Sequence, residues 1–342
     1  MNALYPIHPI SSARSYEASV LENDSEKTAA AMANAGKAIG EAIHADFGEL
    51  GEWPESASVL VLAGKGLNAG DAFIACSTLH GRQPGLEVTI VTTADESDLN
   101  PLAAEALASL KQSLGTALCL LTVPEYLDAE TKLVDVVIDG LYGLGFKPPL
   151  RKEPAALLKQ VNARTDIRLR ASVDIPSGIG EEADPDSFVA DFTYIPGVAK
   201  EPCFKTDDTP LLGRIRFLEI DPFRGQPAGE ELRHFVLSPT CHKSLNRIRP
   251  SHSDKRTFGH CLVLAGSTRM PGAAVLATRA ALQAGAGLVT TLAPASVATH
   301  LASAIPEAMW RPLPLTPDGG LDVEAVRNVS SLVAELPVLV IN

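Results

Sequence analysis

Residues 58–76 read Ser-Val-Leu-Val-Leu-Ala-Gly-Lys-Gly-Leu-Asn-Ala-Gly-Asp-Ala-Phe-Ile-Ala-Cys. The first part, residues 59–63, has the length and the β-branched content of a buried strand. A turn with Gly64, Gly66 and Gly70 follows, and apolar residues then recur at helical spacing. A strand, a glycine loop and a helix start present backbone N–H groups to an anion such as phosphate. The stretch predicts a strand-loop-helix unit that can bind an anion.

The glycine pattern alone leaves two interpretations open. Gly-x-Gly-x-x-x-Gly-Asp is neither the dinucleotide fingerprint Gly-x-Gly-x-x-Gly nor a Walker loop. Lys65 lies between the first two glycines and not before a Ser or Thr, which argues against a P-loop NTPase. A sharp strand-to-helix turn that binds nothing fits the pattern equally well. Residues elsewhere in the chain must decide between the two.

The composition limits the class of protein. At 342 residues the chain is long enough for two domains, each with its own core. A hydrophobic content of 46% with only 5% aromatic residues is typical of a soluble α/β protein. The formal net charge of −12 argues against general binding of nucleic acid or anionic membranes, which requires clustered Lys and Arg. We expect a small-molecule substrate, no nucleic-acid or membrane partner, and leave a homo-oligomer open.

The N-terminus and the cysteines indicate a cytoplasmic protein. The N-terminus lacks a basic segment followed by an apolar one, and no later stretch is apolar for long enough to cross a bilayer. The five cysteines lie far apart without a Cys-x-x-Cys pair. We expect them to be reduced, and those in apolar periodic segments to be packing residues: Cys76, Cys119 and Cys261.

Strands and helices alternate through the first two thirds of the chain. Two early helices are predicted, the first capped by Ser11 or Ser12 and the second by Ser25. The second helix has an apolar stripe at steps of three and four: Met32, Ala35, Ile39, Ile43 and Phe47. Further strands are predicted at residues 86–91, 117–121, 134–138, 169–173 and 213–220, and helices at 102–114 and 154–163. The alternation predicts an α/β fold with a Rossmann-like parallel sheet and helices on both faces.

Acidic residues stand at the ends of two predicted strands. Asp139 follows the fourth strand and Asp174 follows the fifth. Because ligands of open α/β sheets bind at the carboxyl ends of the strands, both should share a crevice with Asn68 and Asp71. Taken singly, each Asp is more often a residue that stabilises a turn than a catalytic group. Three polar loops at strand ends favour a functional site.

Three ordered blocks of sequence resemble one family. Residues 64–71 read GKGLNAGD, residues 137–145 read VIDGLYGLG, and residues 172–178 read SVDIPSG. They look like the signature blocks of the NAD(P)H-hydrate epimerases, and the similarity extends over residues 10–220. The preceding helices, with Glu17, resemble the family's entry region. The resemblance implies a Rossmann-like domain that interconverts the two epimers of NADH or NADPH hydrated at C6 of the nicotinamide ring.

The resemblance also implies roles for single residues. In the family, the Asn matched by Asn68, the Asp matched by Asp139 and the Ser matched by Ser177 bind a potassium ion. The Asp matched by Asp174 lies beside the reacting ring. Substrate contacts are implied for that Asp and for two blocks: Leu67, Asn68, Ala69, Gly70 and Asp71, then Gly143, Leu144, Gly145, Phe146, Lys147, Pro148 and Pro149.

The residue types fit this chemistry. A hydroxyl on a carbon bonded to nitrogen can leave as water, because the nitrogen lone pair stabilises the resulting iminium. A carboxylic acid protonates the departing hydroxyl, and its conjugate base activates the incoming water, so we expect Asp174 to serve both steps. Potassium held by Asn68, Asp139 and Ser177 would have only hard oxygen ligands and would offset phosphate charge.

Three departures from the family pattern motivate a second hypothesis. Leu67 stands where the family usually has Asn, and Ala69 and Ala72 stand where it usually has Gly. An Ala disfavours positive φ and adds a methyl group where the backbone should approach phosphate. The alternative is a catalytically degenerate dinucleotide-binding module with a structural or regulatory role. An ordinary NAD-dependent dehydrogenase is disfavoured, because Thr92 and Thr93 stand where an acidic residue should end the second strand.

A second α/β unit is predicted after residue 256. A strand at residues 261–265, a glycine-containing loop, a helix at 273–284 and a strand at 288–292 follow in order. The segment resembles the start of the ADP- or ATP-dependent NAD(P)H-hydrate dehydratases, which are ribokinase-like. The resemblance implies ADP or ATP with Mg²⁺ as the cofactor of a complete domain. The catalytic Gly-x-Gly-Asp loop of ribokinase-like enzymes is absent after residue 250, so we expect an incomplete domain.

Three segments are therefore expected along the chain. Residues 1–223 form the epimerase-like domain, residues 224–256 a solvated linker, and residues 257–342 an incomplete ribokinase-like dehydratase domain. Residues 337–342 are an apolar run typical of a buried strand. A strand with no chain beyond it leaves backbone groups unpaired, so we expect the sequence to be a fragment of a longer bifunctional protein.

Overall fold

The structure is a computed structural model that describes part of the chain. The described residues are 4–130, 132–205, 207–225, 233–238, 241, 243, 248–322, 324, 327 and 338–341, the last four by their backbone. Two compact units divide the chain, Met1–Leu245 and Asn246–Asn342. Parts of the predicted linker, residues 226–232, 239–240, 242 and 244–247, lie outside the described residues, as do residues 337 and 342 of the predicted last strand.

The first unit is built on a seven-stranded parallel sheet. In chain order the strands of this unit are β1 (Leu4–His8), β2 (Ser58–Ala63), β3 (Glu87–Thr92), β4 (Leu118–Thr122), β5 (Val136–Gly140), β6 (Leu169–Val173), β7 (Phe192–Pro196), β8 (Ala199–Lys200), β9 (Arg214–Leu218) and β10 (Phe235–Leu237). The large sheet has the order β4-β3-β2-β5-β6-β7-β9, and all its neighbours are parallel. The strands predicted from apolar runs are confirmed, and β7 is an additional strand that the sequence analysis missed.

Helices cover both faces of this sheet. They are α1 (Ile10–Leu21), α2 (Ser25–Leu50), α3 (Leu67–Arg82), α4 (Pro101–Leu114), α5 (Val123–Asp128), α6 (Lys152–Ala163) and α7 (Thr209–Leu212). Strand β2 shows the two faces directly, because alternate side chains point to opposite sides of a sheet. Val59 and Val61 belong to a core cluster with residues of α2, α3 and α4, such as Phe73. Leu60 and Leu62 belong to another with residues of α5 and α6. The predicted fold class is confirmed.

The predicted helix caps are wrong, although the helices are present. Helix α2 is capped by Asp24, whose side chain accepts hydrogen bonds from the backbone N–H groups of Glu26 and Lys27. Helix α1 begins after Pro9 without a side-chain cap. Asp precedes Ser25 by one residue and is an equally good cap, so composition alone could not choose between them. All five residues of the predicted apolar stripe of α2 are buried.

A small second sheet carries the N-terminus of the chain. Strand β1 pairs antiparallel with β10 and parallel with β8, in the order β10-β1-β8. The register places His8 opposite Lys200. Strands β8 and β10 have only two and three residues, and β1 contains Pro6 and His8 and is not a continuous apolar run, so none of them gives a strand signal in the sequence. This sheet fixes the segment that carries Lys200.

The second unit contains a four-stranded parallel sheet. Its elements are β11 (His260–Leu264), α8 (Gly272–Gln283), β12 (Leu288–Pro294), α9 (Ala295–Ala304), β13 (Met309–Leu313) and β14 (Val338–Ile341). The strand order is β13-β12-β11-β14. The predicted strands and helix are confirmed, and β14 corresponds to the apolar run near the end of the sequence. It pairs in parallel with β11.

Two further expectations concern the cysteines and the membrane. All five cysteines are free, and Cys76 and Cys261 are buried as expected. Cys119 is exposed, so its prediction as a packing residue is wrong. It lies on β4, the edge strand of the large sheet, where one side of the strand is left open. Within the described residues no helix is both long enough and apolar enough to span a membrane.

Candidate active site

The three predicted loops meet at one cavity. Strands β2, β5 and β6 are neighbours in the sheet, so the segments that follow them emerge side by side. A cavity of about 510 Å³ lies at this edge. Eight of the predicted site residues line it: Leu67, Asn68, Asp71, Gly143, Leu144, Gly145, Phe146 and Asp174. Other lining residues include Glu17, Met32, Lys65, Lys200 and Phe223.

Seven predicted site residues do not line the cavity. They are Ala69, Gly70, Asp139, Lys147, Pro148, Pro149 and Ser177. Ala69 and Gly70 belong to the first turns of α3 and are buried in its packing. A Cβ atom on Gly70 would lie 2.5 Å from the Met32 sulfur, so this glycine lets α2 and α3 approach closely. Asp139 and Ser177 are buried beneath the loops.

The expected strain at Ala69 and Ala72 is absent. Residues 67–72 form the start of α3 and are not an open loop, so both alanines have ordinary helical backbone and neither has positive φ. Both side chains are fully buried. A Cβ atom built on Gly140 would lie 2.6 Å from the Cβ of Ala72, which shows that the alanine fills space against β5. The altered glycine positions are therefore packing positions in this chain.

Gly143 brings the second loop close to two polar side chains. A Cβ atom at this position would lie 3.1 Å from Asp174 Oδ2 and 3.2 Å from Asn68 Oδ1. Both oxygens therefore face the backbone of the loop at residues 143–146. Any larger residue here would push the loop away from them.

Asp139 and Ser177 form a buried hydrogen-bonded pair. Ser177 Oγ donates to Asp139 Oδ1 at 2.6 Å, and the Ser177 backbone N–H donates to Asp139 Oδ2 at 2.7 Å. The Tyr142 backbone N–H donates to Ser177 Oγ at 2.9 Å. Asn68 Nδ2 donates to the Tyr142 carbonyl oxygen at 3.0 Å. Tyr142 thus connects Asn68 to Ser177, and Ser177 connects both to Asp139, so the three predicted potassium ligands belong to one hydrogen-bonded chain.

The Asp139 carboxylate has no cationic partner among the described side chains. None of the ion pairs in the described part of the chain includes it. Burial raises the pKa of Asp139 to about 6, although the hydrogen bonds from Ser177 and from the Leu141 N–H oppose the shift. A buried carboxylate without a counter-charge, bonded to the Ser177 hydroxyl that lies beside the Tyr142 carbonyl oxygen, offers the oxygen ligands that a hard monovalent cation takes.

Asp174 is held at the tip of β6 in an unusual conformation. Its φ is 68°, in the left-handed region that non-glycine residues rarely adopt. The Asp174 N–H donates to the Tyr194 carbonyl oxygen at 2.9 Å. Its carbonyl oxygen accepts from the Cys203 thiol, with a sulfur to oxygen distance of 3.6 Å. A residue in a strained conformation whose backbone N–H and carbonyl oxygen are both hydrogen-bonded is typical of a functional position.

Lys200 is the main site residue that the sequence analysis missed. Its buried ammonium group donates to Asp174 Oδ1 and lies 3.2 Å from Glu17 Oε1. Burial disfavours the charged lysine, but the negative charges of Asp174 and Glu17 outweigh it and raise the pKa of Lys200. A sequence signal existed, because residues 195–200 are an apolar run that ends in a single Lys. Its partners could not be identified without the fold.

The N-terminal helix α1 lines the cavity with Glu17 and contacts one of its loops through Arg14. Glu17 supplies the second carboxylate beside Lys200. Arg14 donates to the carbonyl oxygen of Leu144, in the loop at residues 143–149. Leu144 also packs against a core cluster that includes Ala13 of α1. The helix is therefore bonded to the loop both by a hydrogen bond and by apolar contacts.

Asp71 is the fourth ionisable group on this wall. It lies on the second turn of α3, and its Oδ1 atom is buried without a hydrogen-bond partner. Burial, followed by the negative charge of Asp174, raises the pKa of Asp71 well above its ordinary value, and Lys200 opposes the shift only in part. Asp71 is expected to hold its proton when its neighbours are ionised.

The chain matches the models of two protein families. Residues 28–200 match the family described as YjeF-related protein N-terminus, which is just over half of the chain. Residues 261–336 match the family described as NAD(P)H-hydrate dehydratase.

Curated relatives give a consistent result. The chain is 32% identical to the bifunctional NAD(P)H-hydrate repair enzyme Nnr of Moorella thermoacetica, over 91% of this chain and 58% of that protein. It is 32% identical to the protein of the same name in Gloeobacter violaceus, over 85% and 56%. It is 31% identical to the NAD(P)H-hydrate epimerase of Rhodopirellula baltica, over 60% of this chain and 78% of that protein.

The coverage differs between these relatives. The chain spans less than two thirds of the length of the two bifunctional proteins, but more than three quarters of the epimerase. Together with the match over residues 28–200, this similarity assigns the chain to the YjeF-related family, whose relatives here are NAD(P)H-hydrate epimerases and bifunctional NAD(P)H-hydrate repair enzymes.

Proposed function

We propose that the first unit is an NAD(P)H-hydrate epimerase that inverts the C6 hydroxyl of hydrated NADH or NADPH. In a longer form the protein would also dehydrate the S epimer with ADP or ATP. The family match and the names of the relatives support this proposal. The observation that carries it is the position of Asp174. Its Oδ1 bonds to Lys200, and its Oδ2 faces the loop at Gly143 on the cavity.

Asp174 is the proposed acid-base group of the reaction. Loss of the C6 hydroxyl as water leaves an iminium, which the nitrogen lone pair stabilises, and water can then return to either face. A carboxyl group beside C6 can protonate the departing hydroxyl or take a proton from the incoming water. The ion pair with Lys200 fixes the side chain, because a buried charge partner restricts the carboxylate to one orientation.

The substrate is proposed to bind across the start of α3 and the loop after β5. Helix α3 begins at Leu67, and the N-terminus of a helix offers free N–H groups to a pyrophosphate. Lys65 lines the cavity beside it and carries a positive charge. The residues of the two substrate-binding blocks implied by the family would have two different roles here. Leu67, Asn68, Asp71 and residues 143–146 face the ligand, while Ala69, Gly70 and residues 147–149 support them.

Potassium is the proposed cofactor of this unit. Asn68, Asp139 and Ser177 would hold it, because hydrogen bonds connect Asn68 and Ser177 to the Tyr142 peptide and Ser177 to Asp139, which has no counter-charge among the described residues. When bound, the ion supplies a positive charge that offsets the Asp139 carboxylate and the substrate phosphates. Asn68 and Ser177 keep the two loops in register through their hydrogen bonds to Tyr142.

The second unit is proposed to be the beginning of a dehydratase domain. We propose domain limits at residues 1–223 and 257–342 with a linker at 224–256, and the division into compact units falls inside that linker. ADP or ATP with Mg²⁺ would be the cofactor of the complete domain. The free state of the cysteines supports a location in the cytoplasm. The main partner is the hydrated dinucleotide.

The test is conversion of a single epimer of hydrated NADPH by the purified chain, followed by chromatographic separation of the two epimers. An epimerase produces the second epimer faster than solution does, and Asp174→Asn slows this conversion about 100-fold or more. Asp135→Asn is the matched control, because Asp135 lies just before β5, at the end of the strand away from the cavity, and pairs with Arg168. A chain that binds the ligand but leaves the epimer unchanged would be the degenerate binding module.

A further inference from the structure

One wall of the cavity holds more carboxyl groups than it can ionise. Glu17, Asp71 and Asp174 line the cavity beside one buried cation, Lys200, whereas the other lining lysine, Lys65, is exposed. Three carboxylates around one buried ammonium would leave two uncompensated negative charges in a poorly solvated site. Such groups titrate as a set, and at least one of them keeps its proton at neutral pH.

The contacts identify which group keeps the proton. Lys200 bonds to Asp174 and lies beside Glu17, so these two carboxylates have a charge partner. Asp71 forms no ion pair among the described residues, and its Oδ1 is buried with no hydrogen-bond partner. Burial raises the pKa of both Glu17 and Asp71, but Lys200 lies beside Glu17 and opposes the shift there, whereas the pKa of Asp71 rises well above its ordinary value. Asp71 is the neutral acid of the set.

Among the described residues, the same cavity therefore contains one carboxyl group that is paired with a cation and one that has no charge partner. Asp71 enters from helix α3 and Asp174 from the end of β6. Two like groups whose surroundings keep them in opposite protonation states can act as an acid and a base in the same turnover. A single Asp held to a buried lysine lacks the proton that the departing hydroxyl needs.

We propose that Asp71 is the second catalytic residue of the epimerisation, donating the proton to the departing C6 hydroxyl while Asp174 receives the proton of the incoming water. This inference rests on the proposed epimerase function and divides between two residues the acid and base roles assigned above to Asp174 alone. Lys200 is a positioning residue, because its ion pair holds Asp174 Oδ1 and leaves Oδ2 toward the cavity.

The steps balance in atoms and electrons. The Asp71 proton passes to the hydroxyl oxygen as the C6–O bond breaks, and the electron pair of that bond stays on the oxygen of the departing water. The nitrogen lone pair forms the iminium. A water oxygen then bonds to C6 from the other side, the iminium pair returns to nitrogen, and the water proton passes to Asp174. One water leaves and one enters. Return of the proton from Asp174 to Asp71 restores the starting state.

A purely structural role for Asp71 makes a different prediction. A side chain that only fills space loses nothing when Asn replaces Asp, because the two have nearly the same shape. Asn can donate a hydrogen bond but cannot give up a proton at neutral pH. Asp71→Asn therefore removes the acidic proton and keeps the shape of the side chain. Asp71→Ala leaves a gap in which a small acid can stand in for the side chain.

The test compares Asp71→Asn and Asp71→Ala with the wild-type chain and with Asp135→Asn, using one epimer of hydrated NADPH. We expect Asp71→Asn to lower kcat about 100- to 10,000-fold while KM changes by less than about 3-fold. Sodium formate, against sodium chloride at equal ionic strength, should raise the kcat of Asp71→Ala about 10-fold or more, because formate bound in the gap takes up a proton there and passes it to the departing hydroxyl.

Several results would overturn the proposal. Asp71→Asn with kcat within about 3-fold of the wild type, or a loss confined to KM, removes the proton-donor role. A kcat loss in folded Asp71→Ala that formate does not reverse assigns Asp71 to packing. Epimerisation by the wild type and by Asp135→Asn tests the proposed function separately. If both turn over and Asp71→Asn does too, only the role of Asp71 is wrong, whereas a wild type that does not epimerise overturns both.

Discussion

Lys200 and Asp174 form a buried ion pair on the cavity wall, although they are 26 residues apart in the chain. The two side chains are only 2% and 12% exposed. Lys200 reaches this position because β8 pairs with β1, and Asp174 reaches it at the end of β6. The pair thus joins the small N-terminal sheet to the carboxyl edge of the large one. Taking two charges out of water is unfavourable for stability, so the pair indicates a functional role.

Substitution of Lys200 should destabilise the first unit, because Asp174 then loses its cation. Lys200→Met leaves the Asp174 carboxylate buried without its cation, and we expect the free energy of unfolding to fall by about 3 kcal/mol. The double variant Lys200→Met with Asp174→Asn should recover part of this loss, because it removes the unpaired charge. Denaturant unfolding measures both. Lys159→Met, on the exposed side of α6, is the control. Strictly additive effects would contradict a direct pairing.

The Asp139 carboxyl should make stability depend on pH in potassium-free buffer. Its pKa is about 6 in the folded chain, above the ordinary value of 3.8, so the folded state binds the proton more tightly than the unfolded state does. Its contribution is therefore most favourable below pH 4 and declines as the pH rises to 6, by about 3 kcal/mol in total.

The difference between the wild type and Asp139→Asn isolates this effect. Unfolding should be followed from pH 4 to pH 8 in choline chloride and in potassium chloride at equal ionic strength. We expect the pH-dependent difference in choline to shrink in potassium, because a bound cation compensates the carboxylate. Identical curves in the two salts would remove the support for a potassium site at Asp139.

Ala72 and Gly140 should behave as a complementary pair. Gly140→Ala places a methyl group 2.6 Å from the Ala72 Cβ, and we expect a destabilisation of about 1–3 kcal/mol. Adding Ala72→Gly should relieve part of that cost, even though glycine alone at a helical position costs about 1 kcal/mol. Thermal unfolding of the two single variants and the double variant gives the coupling. If the destabilisation of the double variant equalled the sum of the two single effects, the two positions would not be in contact.

Arg14 should affect substrate binding more than turnover. Its guanidinium donates to the Leu144 carbonyl oxygen and supports the loop at residues 143–149 without touching Asp174. Loss of an exposed hydrogen bond of this kind should raise KM about 2- to 5-fold and leave kcat nearly unchanged. Steady-state kinetics of Arg14→Ala measures both constants, with Ser19→Ala on the same helix as control. An unchanged KM would show that the loop does not depend on α1.

Much of the fold follows from local sequence patterns. The strands of the large sheet are apolar runs bounded by turn residues, and the residues of the α2 stripe are spaced for one helical face, so both were predictable. The residues at the strand ends, Asn68, Asp139 and Asp174, could be placed at one edge because parallel strands share a direction. The motif alone could not show that residues 67–72 are already helical, and this led to the wrong expectation of strain at Ala69 and Ala72.

The site residues that could not be predicted from the sequence are brought into place by contacts between distant segments. Lys200 lies in a strand of two residues, and Glu17 lies in a short helix with a weak apolar stripe. Neither has a local pattern that indicates its partner, because their positions are set by the pairing of β1 with β8. The protonation of Asp71 likewise depends on burial and on neighbours from three other elements. Such properties exist only after the chain has folded.

The most informative measurement follows the approach to equilibrium from each pure epimer of hydrated NADPH, with and without the purified chain in potassium buffer. An epimerase accelerates both directions and leaves the final ratio of epimers at its solution value, because a catalyst does not change an equilibrium. We predict this result, with conversion at least about 100-fold faster than in buffer. Rates equal to those in buffer from both starting epimers, by a folded chain that binds the dinucleotide, would contradict the proposed function.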